Sequence, residues 1–365
     1  MKEGHRFDYE WTLKDAVFTK DKGKVFSCFA CGGGSTMGYK LAGFDVVGCC
    51  EIDAKVNEVY VRNHHPKHNY CMDIRDLVGK AENGELSEEL YHLDILDGSP
   101  PCSTFSMSGL REKAWGKEKR FREGQKKQVL DTLFFDFIAL AKVLRPKVVV
   151  AENVKGILNG NARRYAQRIL GELDEAGYVC EVYGLNACEM GVPQRRERVF
   201  FVALRKDLLG EVDRHGSIFG APIDMAFDEA QILARDVTDY GGEAISSNDG
   251  KLMELWRDRK EGDRDMNDTC KRVRGKDSYF NNGYVLPDEV CKTLTAMKRS
   301  LIHWNEPKIL SRAELCKIST FPLDYDFGDV DPFFVCGMSV PPVMMAQIAS
   351  RIYEEWHDVF KTENV

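Results

Sequence analysis

Residues 93–106 read LDILDGSPPCSTFS. The run LDIL, ended by a turn signal, has the mark of a short buried strand. It breaks at Asp97-Gly98, and Pro100-Pro101 stiffen the chain just before Cys102. Two prolines fix φ at successive residues, so the thiol that follows is held in one direction. In open α/β sheets, ligands bind where strand ends feed such turns. A free cysteine is most often a small buried hydrophobe. This one lies in a loop at a strand's ligand-binding end, and it reads as a candidate nucleophile.

The flanking chain alternates strands and helices. Residues 24–30 (KVFSCFA) read as a first strand, followed by a glycine-rich turn at Phe29-Ala30-Cys31-Gly32-Gly33-Gly34 and a helix over 35–42. Backbone N–H groups at such a helix start favour anionic or polar ligand groups. Residues 44–50 form a second strand ending at Glu51, where a carboxylate suits a ribose diol. On shape alone a nicotinamide cofactor fits this turn as well. An amphipathic helix over 53–63 and a short strand over 70–72, ending at Asp73-Ile74, come next. Asp73 alone also reads as a helix-capping residue.

Residues 129–144 have helical period, with Leu133, Phe134, Phe137, Leu140, Ala141 and Leu144 on one face. Residues 146–151 form a strand ending in Glu152-Asn153-Val154. A helix over 162–176 and closing strands over 178–186 and 199–204, joined as a hairpin through MGVPQRRER, complete the pattern. The fold class is therefore α/β, a doubly wound mixed sheet. Residues 1–23 carry no motif and read as a cap, helical around 11–18. Between 206 and 288 the periodicity fades and Gly, Asp and Arg rise.

The 365 residues suffice for one large domain and a smaller one. With 43% hydrophobic and 30% charged residues the chain is globular rather than disordered. No uninterrupted apolar run is long enough to span a membrane, and residues 1–15 lack the apolar core of a signal peptide. A cytoplasmic protein is expected. Most of the twelve cysteines lie in apolar strands and read as core thiols. Cys28 and Cys31 make a CxxC pair, but no second pair exists, so no metal site is expected. A net charge of −7 speaks against a nucleic-acid partner over most of the surface. Residues 111–127, REKAWGKEKRFREGQKK, are the exception: a basic run beside a nucleophile reads as a phosphate clamp.

The Gly turn, PPCSTFS, ENV and QRRER resemble, in order and spacing, the DNA (cytosine-5)-methyltransferases of bacterial or phage type. The resemblance covers roughly residues 24–205 and 308–351. It implies a Rossmann-like domain over 1–205, completed by 325–365, and a smaller irregular target-recognition domain and hinge over 206–324. It chooses S-adenosylmethionine as cofactor, lined by Phe29, Cys31, Gly32, Gly33, Gly34, Glu51, Ile52, Asp73, Ile74, Pro101, Leu133, Met338, Ser339 and Val340. Asp73 would accept from the adenine amino group, with Ile74 on the ring.

Three positions depart from the family pattern. Cys31 replaces the first glycine of the turn, which is expected to require negative φ there. Met338 replaces the Asn of a closing Gly-Asn-Ser-Val motif, and Ser319 stands where a Gln is expected.

The implied chemistry begins with a Cys102 thiolate adding to carbon 6 of cytosine, which makes carbon 5 nucleophilic. A protonated Glu152 would bond or protonate N3, and Asn153 would orient the Glu152 loop. Arg196 would hold the base carbonyl oxygen and Arg198 would brace the site. A cytosine in a duplex must be flipped out of the stack for this, and the basic loop with Trp115 and Phe121 reads as a mobile catalytic loop. The implied partner is double-stranded DNA, bound by a monomer, with a cognate restriction endonuclease as a functional partner. The alternatives are a tRNA cytosine-5 methyltransferase of the same fold and a catalytically inactive DNA-binding relative.

Overall fold

The computed structural model describes residues 4–101, 132–160, 162–212, 220–245, 250–278 and 282–362. The chain forms two compact units, one of Val17–Leu185, Glu197–Ala226 and Met345–Val365, the other of Met1–Ala16, Asn186–Arg196 and Phe227–Met344.

The first unit is built on β1 (Lys24–Cys28), α1 (Gly34–Leu41), β2 (Asp45–Cys50), α2 (Ala54–His64), β3 (His68–Tyr70), α3 (Ile74–Glu82), β4 (Ile95–Gly98), α4 (Leu133–Leu144), β5 (Val148–Val154), α5 (Ala162–Glu175), β6 (Tyr178–Asn186) and β7 (Glu197–Arg205). The seven strands form one sheet in the order β3-β2-β1-β4-β5-β7-β6. β1 runs parallel to β2 and β4, β4 parallel to β5, and β7 antiparallel to β5. This is the expected doubly wound mixed sheet. Chain order reverses between β1 and β4, the place where such sheets open a ligand crevice.

Continuous apolar runs make the central strands, because helices cover both faces of a parallel sheet. Phe26, Leu96, Val149 and Phe201 enter one core with Phe134, Phe137, Leu140 and Ile169 from the helices. Register sets the strand ends level: Cys28 pairs with Cys50 and with Gly98, and Gly98 pairs with Ala151. The glycine turn, Glu51, Pro100-Pro101 and Glu152 follow those ends directly.

Sequence and structure differ at three places here. The third strand lies at His68–Tyr70, and Asp73 caps α3, a helix absent from the sequence reading. Residues 11–18 contain turns rather than a helix. The Leu13 and Lys14 N–H groups donate to Asp324 and the Trp11 indole to the Thr320 carbonyl at 2.9 Å, while the Ala16 N–H makes a single helical-type bond to the Thr12 carbonyl. Finally, β6 and β7 neighbour each other but no tight hairpin joins them, since Asn186–Arg196 belong to the other unit.

The second unit carries α6 (Ala234–Val237), α7 (Gly250–Arg257), α8 (Met266–Arg274), β8 (Gly283–Val285), β9 (Leu301–His303), α9 (Arg312–Ser319) and α10 (Pro332–Met338). α11 (Pro342–Glu355) starts in this unit and ends in the first, followed by α12 (His357–Lys361). β8 and β9 pair in parallel. Buried Glu314 accepts from the Asp239, Tyr240 and Ser311 N–H groups and pairs with His303 at 3.0 Å. Those contacts hold its carboxyl at about 2, against the upward push of burial. Residues 332–355 are long and apolar enough to cross a membrane, but 89% of the most apolar window is buried inside the protein, as for a core helix.

Candidate active site

The turn after β1 is built around Glu51. Its Oε2 accepts from the Cys31 N–H and its Oε1 from the Asp53 N–H, both at 2.9 Å. Cys31 has φ of 47°, so the expectation of a negative φ is corrected. A left-handed residue other than glycine costs roughly 1–2 kcal/mol. The charge-assisted bond to Glu51 offsets it and fixes the peptide. Burial raises the Glu51 pKa above the ordinary carboxylate value, opposed by these two N–H donors. Gly33, with φ of 77°, begins α1 without a side-chain cap. First-turn N–H groups at a helix start suit a polar ligand.

Next to Glu51, Ile52 is 42% exposed, an apolar surface at the strand end. Asp73 caps α3 through the Arg75 N–H and pairs with the Arg75 guanidinium at 2.6 Å. Ile74 and Leu133 are buried in the core. Acceptor Glu51, the N-terminal end of α1 and apolar Ile52 together fit a nucleoside with a polar tail. Met338, Ser339 and Val340 lie in the other unit, at and just beyond the end of α10, and Met338 is 38% exposed.

At the end of β5, antiparallel pairing decides which groups meet. Glu152 opposes Phe200 and Val154 opposes Arg198, so Glu152 and Arg198 are diagonal neighbours on one face. Arg198 Nε bonds Glu152 Oε1 at 2.8 Å, with each side chain 14% exposed. Burial lowers the Arg198 pKa from its ordinary value, and Glu152 opposes that shift. Asn153, on the other face, donates from Nδ2 to the Pro100 carbonyl at 3.2 Å and accepts the Val154 N–H on Oδ1. It thereby ties the end of β5 to the residue two before Cys102. Cys102 and the basic run 111–127 lie outside the described residues.

The two arginines have different surroundings. Arg196 is 2% exposed, and its Nη1 and Nη2 donate to the carbonyls of Leu294 and Gly337 at 3.0 and 2.9 Å. A Cβ on Gly337 would lie 2.4 Å from the Thr295 oxygen, so only glycine allows this close approach. Gln194 supports the same segment, accepting the Leu294 N–H and donating to the Ile318 carbonyl. Arg196 thus ties residues 294 and 337 together, and Arg198 stands beside Glu152. At Ser319, the hydroxyl bonds back to the Leu315 carbonyl within α9.

One buried acid was missed from sequence. Asp97 in β4 accepts from Ser27 Oγ at 2.8 Å and from the Tyr39 hydroxyl at 3.3 Å. Burial pushes its pKa up to about 7, those hydroxyls oppose the shift, and Glu152 adds to it. An acid inside an otherwise apolar strand was the signal that could have revealed it.

A sequence profile of C-5 cytosine-specific DNA methylases matches residues 23–354. The chain belongs to the C-5 cytosine-specific DNA methylase family. Among related methylases, the Type II methyltransferase M.Eco47II of Escherichia coli is 29% identical over 338 residues, or 87% of this chain and 74% of that one. M.FnuDI of Fusobacterium nucleatum is 33% identical over 226 residues, covering 62% of this chain and 58% of its own. M.DdeI of Desulfomicrobium norvegicum is 35% identical over 186 residues, covering 50% and 41%. The methylase chain thus spans about half the length of these last two relatives. A solved putative DNA modification methyltransferase encoded within an Escherichia coli prophage shares the fold, with a TM-score of 0.64 at 18% identity over 92% of this chain and 99% of that one.

Proposed function

We propose that this methylase transfers a methyl group from S-adenosylmethionine to carbon 5 of a cytosine flipped out of double-stranded DNA at a specific sequence. The observation that carries the reading is the Glu152–Arg198 pair at the end of β5, with Asn153 tying that strand to Pro100 ahead of Cys102. When bound, S-adenosylmethionine would supply an electrophilic methyl carbon, its sulfonium sulfur leaving as the neutral thioether. The Cys102 thiolate adds to carbon 6, and the electron pair of the 5,6 double bond makes carbon 5 nucleophilic. Protonated Glu152 donates its O–H to ring N3, where negative charge develops. Arg198, with Nε on Glu152 and Nη1 on the Glu197 carbonyl, keeps Nη2 for the base carbonyl oxygen. After carbon 5 has taken the methyl group, a base removes its proton, the double bond re-forms and Cys102 leaves as thiolate.

On the cofactor side, Glu51 would accept from the ribose hydroxyls and Ile52 would pack on the adenine, with Asp73 accepting from the adenine amino group. Phe29, Cys31, Gly32, Gly33 and Gly34 would line the methionine end. Glu51→Ala is expected to weaken cofactor binding by roughly 1–3 kcal/mol, read by calorimetry. The ionised carboxylate is the form that accepts two hydroxyls. Wild-type affinity should therefore fall as pH drops through the raised Glu51 pKa, and this dependence should vanish in Glu51→Ala. A flat wild-type profile would remove Glu51 from the ribose.

Met338 cannot donate a hydrogen bond, but it fills space. Met338→Asn should leave S-adenosylmethionine binding unchanged or tighter, with activity kept. A large loss of binding in calorimetry would show a pocket rebuilt around Met338.

The relatives named Type II methyltransferases suggest a cognate restriction endonuclease as the functional partner of a monomeric enzyme. Transfer of tritiated methyl groups to duplex DNA and to tRNA tests the substrate. Label in duplex DNA is expected, and label in tRNA alone would overturn the reading. Bisulfite sequencing of DNA from expressing cells then gives the target site.

A further inference from the structure

The glycine turn has a second neighbour that the proposed mechanism does not use. His64, the last residue of α2, is buried against it. A Cβ built on Gly33 would lie 2.1 Å from His64 Nε2 and 2.6 Å from its Cδ2, so the ring fills the space a side chain at position 33 would need. The other ring nitrogen faces α1: Lys40 Nζ lies 3.5 Å from His64 Nδ1 and donates to the His64 carbonyl at 3.2 Å. An ammonium has only donors, so Nδ1 is the acceptor and Nε2 carries the proton. The ring is hydrogen-bonded to the Gly32 backbone, and that bond favours the charged ring, as donation from a ring N–H to a carbonyl does. Burial, the larger effect, still holds the His64 pKa well below its ordinary value, so the ring is neutral.

The Gly32–Gly33 peptide is therefore gripped on both sides. The Gly33 N–H donates to the Ala30 carbonyl at 2.8 Å, and the Gly32 carbonyl takes the His64 N–H. Tyr60 completes the wall, its ring tilted at 45° against His64 with centroids 4.5 Å apart and its hydroxyl joined to Thr36 of α1 at 2.9 Å. A chain of donors runs from Lys40 through the imidazole to the turn. Glycines have the widest backbone freedom, and a ligand that needs one peptide orientation pays least when the protein already fixes it.

We propose that His64 is a positioning residue for the cofactor, its Nε2–H holding the Gly32–Gly33 peptide in the orientation that S-adenosylmethionine requires. This rests on the reading that the glycine turn is the cofactor site. Calorimetry with S-adenosylmethionine, together with steady-state rates on duplex DNA, tests it. His64→Ala should weaken cofactor binding by about tenfold or more, leaving kcat at saturating cofactor and the KM for DNA near wild-type values. His64→Gln returns an N–H near the place of Nε2 and should recover most of the affinity. Lys40→Met keeps the ring but frees its tautomer, and should weaken binding by about threefold. Undiminished binding in His64→Ala overturns the proposal, as does a loss that tracks a lowered melting temperature and is not recovered by Gln. Should the alanine variant fail to fold, Lys40→Met decides, and unchanged binding there overturns it. A wild-type protein that does not bind S-adenosylmethionine would instead sink the reading of the turn.

Discussion

Cys102→Ser is expected to lose methyl transfer by about 1,000-fold or more, while duplex DNA still binds. The reason is the charge state of the nucleophile. A thiol reaches its thiolate within a unit or two of neutral pH, and a nearby guanidinium or helix start moves it further. A serine hydroxyl is hardly ionised there, and its carbon–oxygen adduct would be a poor leaving group in the last step. The substitution removes one atom's chemistry and almost no volume, so binding of the duplex should persist. Gel-shift titration alongside a methyl-transfer assay separates the two. Activity within about tenfold of wild type would mean that another residue attacks carbon 6.

Arg198→Ala should lower kcat by about 100-fold or more, with a smaller cost in stability. The substitution deletes the donor for the base carbonyl and strips Glu152 of its partner at 2.8 Å. Since both side chains are partly accessible, water can take over some of that bond, and a loss of about 1–3 kcal/mol in folding is expected. Arg198→Lys keeps the charge but not the planar fork, and should recover only part of the rate. Arg196→Ala should behave in the opposite way. It orphans two buried carbonyls and opens a cavity, so a lowered melting temperature is its main effect. Paired melting curves and rates on the two variants check this. A stable, inactive Arg196→Ala beside an active Arg198→Ala would restore the assignment drawn from sequence.

The different surroundings of Arg196 and Arg198 show what the sequence could and could not disclose. Apolar runs ended by Gly, Pro or an acid located the strand ends to within about three residues, because burial on both faces leaves a continuous apolar signature. The same signal placed Glu51 and Glu152 at the carboxyl ends of β2 and β5. The run QRRER was harder. Residues 196 and 198 have the same parity, so alternation alone gives them the same face, and what separates them is where β7 begins. It begins at Glu197, which leaves Arg196 in the other unit, bonded to carbonyls about 100 and 140 residues away.

Long-range bonds explain the other differences too. Nothing local to Cys31 announces a left-handed residue, since the acceptor that holds it is Glu51, twenty residues on. Residues 11–18 read as helical, yet the Leu13 and Lys14 N–H groups go to Asp324 and the Trp11 indole to residue 320. The missed helix α3 was legible: Asp73 is a capping residue, and Ile74, Leu77 and Ala81 recur at helical spacing on its buried face. The capping reading of Asp73 was not followed through to the residues after it.

The covalent step is the centre of the account, and an adduct with DNA carrying 5-fluorocytosine tests it most directly. Fluorine at carbon 5 cannot leave as a cation, so a cysteine bonded to carbon 6 stays bonded after methyl transfer. Wild-type protein with S-adenosylmethionine should give a denaturant-stable complex on a gel, and mass spectrometry should place the modification on Cys102. Cys102→Ser should give none. A stable adduct formed by the serine variant, or none formed by an active wild-type enzyme, would contradict catalysis through Cys102.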